Sequence, residues 1–151
     1  MKIRYEETMD HNLLTALFDK NEIETAEDEF TGGRTSLVKG FVAFDEEMGD
    51  KLVGGVALAR RMEKDIINGI AVISEYRRKG IAEDLLKLAM AEALFEGVQT
   101  IWIVARAPLF FEAQGFQYTT EKEVPLGLFD CPECSQYNKI CFPRLMKYSF
   151  Q

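Results

Sequence analysis

The segment R-R-K-G-I-A, residues 77–82, places three cations and a glycine between an apolar run and an amphipathic run. The first turn of a helix leaves backbone N–H groups without intrahelical partners, and these groups favour a bound phosphate or pyrophosphate. Gly80 would let the backbone approach such a ligand closely. The spacing matches neither G-x-x-x-x-G-K-[ST] nor G-x-G-x-x-G. The segment therefore predicts an anion site of another kind, with a solvated basic turn as the alternative.

Three cysteines stand close together in the segment C-P-E-C-S-Q-Y-N-K-I-C, at Cys131, Cys134 and Cys141. Thiolates at this density could supply three ligands of a structural zinc ion, although no fourth ligand is evident. Three buried, reduced thiols without a metal are the alternative. An odd number of cysteines confined to one segment is not typical of the disulfide framework of a secreted domain.

Hydrophobic periodicity predicts the strands that must position these residues. Two partly β-branched runs, residues 37–44 and 51–61, are separated by a polar turn and predict an antiparallel hairpin. Gly54 and Gly55 in the second run predict a bulge or a close packing contact. Residues 65–73 are apolar at nearly every position, which predicts a central strand buried on both faces.

Two amphipathic helices are predicted, one capped by Asp10 and one that begins at Ile81 and ends before Gly97. The apolar positions expected to be buried are Leu13, Leu14, Leu17 and Phe18 in the first helix and Ile81, Leu85, Leu88, Ala89 and Ala93 in the second. Their spacing puts each set on one helix face.

The remaining runs predict a strand over residues 100–105, a short helix from Pro108, and strands from Phe116 and over residues 144–150. This pattern of strands and helices predicts an α/β fold, a mixed sheet with helices on both faces. With 151 residues the chain is long enough for one sizeable core. We therefore expect a single domain over residues 1–151.

Charge and composition limit the partners of the chain. A hydrophobic fraction of 47% and a charged fraction of 28% are typical of a soluble globular protein. The net charge of -7 disfavours nucleic acid and anionic membranes, and favours a small neutral or cationic acceptor. The beginning of the chain lacks the apolar core of a signal peptide, and no run approaches the length of a membrane span. These features predict a cytoplasmic protein.

Several motifs together resemble those of the GNAT superfamily of N-acetyltransferases. The acetyl-CoA loop of that superfamily, [QR]-x-x-G-x-[GA], is matched by Arg77, Gly80 and Ala82. The preceding A-V-I-S-E-Y and the following L-L-K-L-A resemble its central strand and helix. F-F-E-A-Q-G-F, residues 110–116, resembles its later F-[YF]-x-x-x-G-F element.

The resemblance implies a GNAT-like, mostly antiparallel sheet flanked by helices, and acetyl-CoA as co-substrate. Backbone groups of Ala71, Val72 and Ile73 would pair with the pantetheine arm. Backbone amides of the loop and the helix start would hold the pyrophosphate beside Arg77; the residues concerned are Arg78, Lys79, Gly80, Ile81, Ala82 and Glu83. An acceptor amine would then attack the thioester carbonyl directly.

The same resemblance raises the question of which groups move protons. Many members of the superfamily have a tyrosine that protonates the departing thiolate where this chain has Phe111, and a phenyl ring cannot donate a proton. Tyr118, Tyr137 or water could serve instead. The plausible bases are Asp65 and Glu75, and we take Tyr118 and Glu75 as the catalytic candidates. Phe111 itself is taken as a further cofactor-binding residue.

The C-terminal part of the chain resembles short N-acetylglutamate synthase-like members, which carry a similar cysteine segment. We therefore expect the acceptor to be the primary amine of a small molecule such as an amino acid. A glutamate site would need cations, for which Arg34, Arg60, Arg61 and Arg106 are available, whereas the acidic residues 21–28 suggest a cationic acceptor. The alternatives are an acetyl-CoA sensor without turnover and a protein- or tRNA-acetylating enzyme. Exposed sheet edges make a homodimer an option.

Overall fold

In a computed structural model, residues 1–20, 35–120, 122–123 and 144–150 are described. The strands are β1 (Ile3–Thr8), β2 (Thr35–Asp45), β3 (Lys51–Arg61), β4 (Lys64–Val72), β5 (Thr100–Ala105), β6 (Gln117–Tyr118) and β7 (Arg144–Ser149). The helices are α1 (His11–Lys20), α2 (Ile81–Phe95) and α3 (Pro108–Ala113). Within these residues the strands form one sheet in the order β1-β2-β3-β4-β5-β7-β6, which confirms the predicted α/β class.

All neighbouring strands are antiparallel except β4 and β5, which are parallel. The predicted hairpin is confirmed as β2 and β3, and its register shifts between Ala43 and Phe44, opposite the Gly54 region. A Cβ atom on Gly54 would lie 3.1 Å from the carbonyl oxygen of Ala71, and one on Gly55 would lie 2.9 Å from Leu17 Cδ2. Both glycines therefore permit close packing at the middle of the sheet.

Helices cover both faces of the sheet, as predicted. On one face, α2 buries Leu85, Leu86 and Ala89 in the larger core cluster. Leu86 is buried although it was not expected to be, and Leu88 is only partly buried. On the other face, α1 buries three side chains over β2, β3 and β4; these are Leu14, Leu17 and Phe18.

The start of α1 confirms the predicted cap. Asp10 Oδ1 accepts a hydrogen bond of 3.1 Å from the backbone N–H of Leu13. This bond satisfies one of the donors that the first helical turn leaves open. The lone histidine, His11, is exposed at the first position of the helix.

Strands β4 and β5 separate soon after they meet. Their pairing consists of Asp65 with Ile101 and Ile66 with Trp102, near the start of both strands. Beyond these pairs β4 runs on to Val72 and β5 to Ala105 without further pairing between them. The sheet is therefore open between its two halves, toward the C-terminal ends of β4 and β5.

The second half of the sheet is short and aromatic. Strand β7 lies between β5 and β6, so the predicted final strand is inserted rather than placed at the edge. Phe116 and Tyr148 pack with ring centroids 5.4 Å apart.

Among the described residues, no helix has the length and apolar character needed to cross a membrane.

Candidate active site

The loop that joins β4 to α2 forms an open helix N-terminus. Gly80 adopts the left-handed conformation, with φ 84°, and its carbonyl oxygen accepts the N–H of Asp84 at 3.0 Å, which begins the helix. No side chain caps this end of α2. A Cβ atom on Gly80 would meet nothing within 4 Å. The loop thus presents uncapped backbone N–H groups and free space, as an anion requires.

A cleft with a volume of about 340 Å³ lies against this helix start. Its described lining comes from the end of β4, the loop, the first turn of α2 and one side of α3. The lining residues are Val72, Tyr76, Arg77, Arg78, Gly80, Ile81, Ala82, Glu83, Phe110 and Gln114. Because β4 leads into the loop and β5 leads into α3, the cleft lies at the mouth of the gap between the two strands.

The two acidic side chains in the first turn of α2 have partners of their own. Asp84 accepts a hydrogen bond of 2.7 Å from the hydroxyl of Tyr5 on β1. Burial and this bond raise the pKa of Tyr5 above its ordinary value. Glu83 pairs with Lys87, one helical turn later, at 3.0 Å. These partners reduce the repulsion that the carboxylates would exert on an anion at the helix start.

A hydrogen-bond cluster around Asp45 ties the loop to the end of the β2–β3 hairpin. Asp45 is only 2% exposed, and its carboxylate accepts bonds from the Tyr76 hydroxyl at 2.6 Å and from the backbone N–H groups of Lys2 and Glu47 at 3.2 and 3.0 Å. The Tyr76 bond, with the backbone donors, holds the pKa of Asp45 below its usual value, and the same bond raises the pKa of Tyr76. Tyr76, a lining residue that the sequence did not single out, is thereby held in place.

Arg77 also has a structural contact. Its Nε donates a hydrogen bond of 3.0 Å to the carbonyl oxygen of Val72 at the end of β4. The sequence predicted only a cation beside an anion. The structure adds a tether that folds the loop back onto the strand that precedes it. Lys79 is exposed and is not among the described lining residues.

The hydrogen bonds of β4 limit which of the three predicted residues can pair with the pantetheine arm through backbone groups. The N–H of Ile73 donates to the carbonyl oxygen of Val53 on β3 at 2.9 Å and is therefore occupied. Backbone groups alternate in direction along a strand, so those of Ala71 also point to β3 and those of Val72 point to the gap. Of the three predicted residues, Val72 alone has this orientation and lines the cleft.

The predicted proton-transfer residues lie outside the described lining of the cleft. Tyr118 is on the edge strand β6, is 48% exposed, and forms a hydrogen bond with Glu112 that raises the pKa of its phenol. Glu75 is exposed and accepts a bond of 3.1 Å from Ser74 Oγ. Asp65 pairs with Arg60 at 3.1 Å, at the far end of β4. The raised pKa makes Tyr118 a weaker acid, and the catalytic roles of Tyr118 and Glu75 stay predictions.

Two neighbouring aromatic residues of α3 differ in their exposure to the cleft. Phe111 is 3% exposed and packs edge-on against Phe110 and Phe116, with centroids 5.1 and 5.4 Å away. Phe110 and Gln114, spaced i and i+4, line the cleft instead. Helical spacing from Pro108 could have identified this pair, but the resemblance directed attention to Phe111.

The predicted zinc ligands Cys131, Cys134 and Cys141 lie outside the described residues, as does Tyr137. In the part of the chain that the structure describes, no group of His, Cys, Asp or Glu is arranged to hold a metal ion. The zinc site therefore stays a prediction.

A parallel strand pair that opens toward an uncapped helix N-terminus defines the class of protein, an α/β fold with a site suited to a phosphate-bearing ligand. A model of the family described as "Acetyltransferase (GNAT) domain" matches residues 38–118. The chain belongs to this family of acetyl-CoA-dependent acetyltransferases. A comparison with curated protein sequences found no match.

Solved structures of the family share the fold at low sequence identity. The N-acetylglutamate synthase of Neisseria gonorrhoeae, solved with coenzyme A and N-acetyl-glutamate, has a TM-score of 0.72 and 15% identity; the alignment covers 100% of this chain and 36% of that chain. A GNAT acetyltransferase of Staphylococcus aureus Mu50 has a TM-score of 0.67 and 14% identity, with 99% and 100% covered. The ribosomal-protein-S18-alanine N-acetyltransferase of Escherichia coli has a TM-score of 0.65 and 17% identity, with 98% and 94% covered.

Proposed function

We propose that the protein transfers the acetyl group of acetyl-CoA to the primary amine of a small molecule, such as an amino acid. The observation that supports this proposal best is the uncapped start of α2 at Gly80, which opens onto the cleft at the mouth of the β4–β5 gap. Backbone N–H groups at such a position bind phosphate oxygens well. The rest of the argument concerns how the cofactor and the amine meet.

The cofactor would enter through the cleft. Its pyrophosphate would accept hydrogen bonds from the backbone amides between Arg78 and Glu83, and Arg78 would add positive charge. The pantetheine arm contains two amide groups and can pair like a strand with the edge of β4, beginning at the N–H of Val72, whose carbonyl oxygen already accepts the bond from Arg77. Phe110 and Ile81 supply apolar surface at the same cleft.

The transfer itself needs no covalent enzyme intermediate. The amine nitrogen attacks the thioester carbon, a C–N bond forms, and the carbonyl electrons move to the oxygen. When the tetrahedral intermediate collapses, the C–S bond breaks, the thiolate accepts a proton and the amine loses one. In the described lining of the cleft the only carboxylate is Glu83, which pairs with Lys87. We therefore propose that the proton carriers are water or groups outside this lining, with Glu75 and Tyr118 as the candidates to test.

The acceptor is proposed from the small-molecule neighbour and from charge. The synthase of N. gonorrhoeae was solved with N-acetyl-glutamate, and its TM-score of 0.72 is higher than the 0.65 of the E. coli enzyme. The net charge of -7 suits a cationic or zwitterionic amine. The E. coli neighbour acts on a protein alanine, and this gives a second candidate, a protein N-acetyltransferase.

Thermal unfolding with acetyl-CoA, followed by an amine panel, tests the proposal. A ligand at about 100 times its Kd should raise the Tm by roughly 5–10 °C, because it binds only the folded state. Release of free thiol is then measured with amino acids, polyamines and alanine-terminated peptides, and Gly80→Leu serves as the variant that should bind no cofactor.

Each outcome selects one interpretation. Thiol release with small amines supports the proposal, and release with peptides alone supports the second candidate. A thermal shift without turnover on any amine indicates a sensor. The absence of a shift at millimolar acetyl-CoA would overturn the function altogether.

A further inference from the structure

A second cleft, with a volume of about 320 Å³, lies at the opposite end of β4 from the cofactor cleft. Its described lining comes from the turn between β3 and β4, the end of α2 and the start of β5. Asp65 lines this cleft and Val72 lines the other, and the two residues lie about 23 Å apart at the usual rise of a strand. The second cleft is therefore separate from the site proposed for acetyl transfer.

The turn between β3 and β4 forms one wall of this second cleft and presents a cation. Arg60 belongs to the wall, but its guanidinium is bonded to Asp65 at 3.1 Å. Lys64 is exposed, and within the described residues it has no ion pair. Its ammonium group is thus available to a carboxylate. Glu63, next to it in the turn, adds a carboxylate that is likewise exposed.

The end of α2 forms the opposite wall, and this wall is negative. Glu96 follows the last helical residue and is exposed, and the last turn of the helix contains no basic residue. The carbonyl groups at the end of a helix carry a partial negative charge, which a lysine or arginine often balances. Lys39 pairs with Glu92, one turn earlier, and Glu96 has no ion pair in the described part of the chain. A bound ammonium group would supply the charge that balances this end of α2.

Trp102, the single tryptophan of the sequence, adds an aromatic surface to the cleft. Its ring already attracts one cation, because Lys147 Nζ lies 5.8 Å from the ring centroid and is held by Glu123 at 2.9 Å. The face of a tryptophan ring also binds alkylated ammonium ions. The second cleft therefore offers a partner for a carboxylate, a negative surface for an ammonium group and an aromatic ring for its alkyl groups.

We propose that this second cleft binds a small zwitterion, in which a short carbon chain joins an ammonium group to a carboxylate, as in a betaine or an amino acid. The carboxylate accepts a hydrogen bond from Lys64 Nζ. The ammonium group lies at Glu96 and the end of α2, against Trp102. Binding is non-covalent and does not depend on the proposed acetyl transfer.

Glycine betaine tests the site, because its nitrogen has neither a proton nor a lone pair and cannot be acetylated. Titrated into the full chain, it should change the fluorescence of Trp102 saturably with a Kd of about 1 mM, as expected of a small ligand in an open cleft. Calorimetry with saturating acetyl-CoA should give the same Kd, since the two clefts lie at opposite ends of β4. A fluorescence signal that does not saturate, or displacement of betaine by acetyl-CoA, would rule out the proposed site.

Two analogues of betaine separate the roles of its charges. In 3,3-dimethylbutyrate a carbon atom replaces the ammonium nitrogen, and in choline a hydroxymethyl group replaces the carboxylate. Each analogue should bind roughly 2–5-fold less tightly than betaine, the effect of one exposed ion pair. Choline binding as tight as that of betaine would indicate a site for cations alone, and equally tight binding of 3,3-dimethylbutyrate a site for anions alone. Either result would contradict the zwitterion.

Variants of the two walls assign the contacts. Lys64→Gln and Glu96→Gln should each weaken betaine binding by roughly 2–5-fold. Lys64→Gln should not weaken the binding of choline, and Glu96→Gln should not weaken that of 3,3-dimethylbutyrate. Asp19→Asn, which removes an exposed charge from α1, is the matched control and should change no Kd.

Unchanged betaine binding in both wall variants, or an equal loss in Asp19→Asn, would disprove the assignment. Thiol release from acetyl-CoA should be the same in these variants and the wild type, so this inference and the proposed function can fail independently.

Discussion

Gly80 and Gly97 have similar positive φ angles at opposite ends of α2. Their φ angles are 84° and 81°, and a Cβ atom on either would meet nothing within 4 Å. A side chain at either position is therefore strained by the left-handed conformation and not by a steric contact. Only Gly80 lines the cleft against the start of α2. Substitutions at the two glycines can therefore distinguish a loss of stability through backbone strain from a loss of binding through a blocked anion site.

Gly80→Leu and Gly97→Leu should each lower the Tm by about 2–8 °C, from a strain of about 1–2 kcal/mol. Only Gly80→Leu should lose the thermal shift with acetyl-CoA, because only its side chain would fill the space for the phosphates. Differential scanning fluorimetry with and without acetyl-CoA measures both effects. Normal acetyl-CoA binding by Gly80→Leu would disprove the anion site at this helix start.

At the scale of elements, the contacts that hold the loop between β4 and α2 decide where the start of α2 lies. The loop follows β4, and its contacts include the bond from Arg77 to the carbonyl oxygen of Val72 and the bond from Tyr76 to Asp45. Asp45 belongs to the end of β2, which pairs with β1 and β3. The hairpin end and the cofactor loop therefore form one unit, so a change in Asp45 should affect both stability and binding.

Asp45→Asn should lower the Tm and weaken acetyl-CoA binding at about pH 7. The folded pKa of Asp45 is below the ordinary value of 3.8, so the carboxylate stabilises the fold fully above that value and loses its effect as the pH falls through the folded pKa. The Tm difference between wild type and variant should thus be constant down to about pH 5 and shrink below about pH 4. Unfolding scans at several pH values measure it.

Asp50→Asn provides the matched control for this experiment. Asp50 lies near the same end of the hairpin, with a side chain that is 60% exposed and paired with Arg4. The substitution changes the net charge equally but leaves the Tyr76 bond in place. Equal pH profiles for the two variants would contradict a specific role of Asp45.

At the scale of the whole molecule, charge and sheet edges govern which partners the protein meets. The chain has 25 acidic and 18 basic residues. The edge strand β1 carries a charged cluster in which Arg4 pairs with Glu6 and Asp50 at 2.9 and 3.0 Å. Charged side chains on an edge discourage strand addition, so this edge is a poor surface for a sheet-extending homodimer. The negative charge also opposes polyanions.

We expect no measurable binding of tRNA at about 0.15 M salt, because a chain with a net charge of -7 is repelled by the RNA phosphates. Such a chain would neutralise few phosphates and would therefore release few of the counterions bound to the RNA. Fluorescence anisotropy with labelled tRNA measures this, and a titration of salt gives the slope. Tight binding that weakens steeply with salt would restore the tRNA-acetylating alternative.

Local patterns in the sequence were sufficient for the elements and for the anion loop. The alternation of apolar residues predicted β2, β3 and β4, and helical spacing with Gly97 predicted α2, because short-range periodicity decides which face of an element is buried. The three motif residues Arg77, Gly80 and Ala82 lie within six residues of one another, in the loop and the first turn of α2, and the structure places all three at the cleft. Such features depend on neighbours along the chain.

Contacts between distant segments could not be predicted from these local patterns. The bond from Tyr76 to Asp45 joins residues 31 positions apart, and the gap exists because β4 and β5 pair at only two positions. Phe110 rather than Phe111 reaches the cleft because packing against Phe116 turns one ring inward. The sequence by itself determined the elements and the anion loop. Only the tertiary structure decided which side chains meet there, because burial and hydrogen bonding across the sheet depend on residues that are remote in the chain.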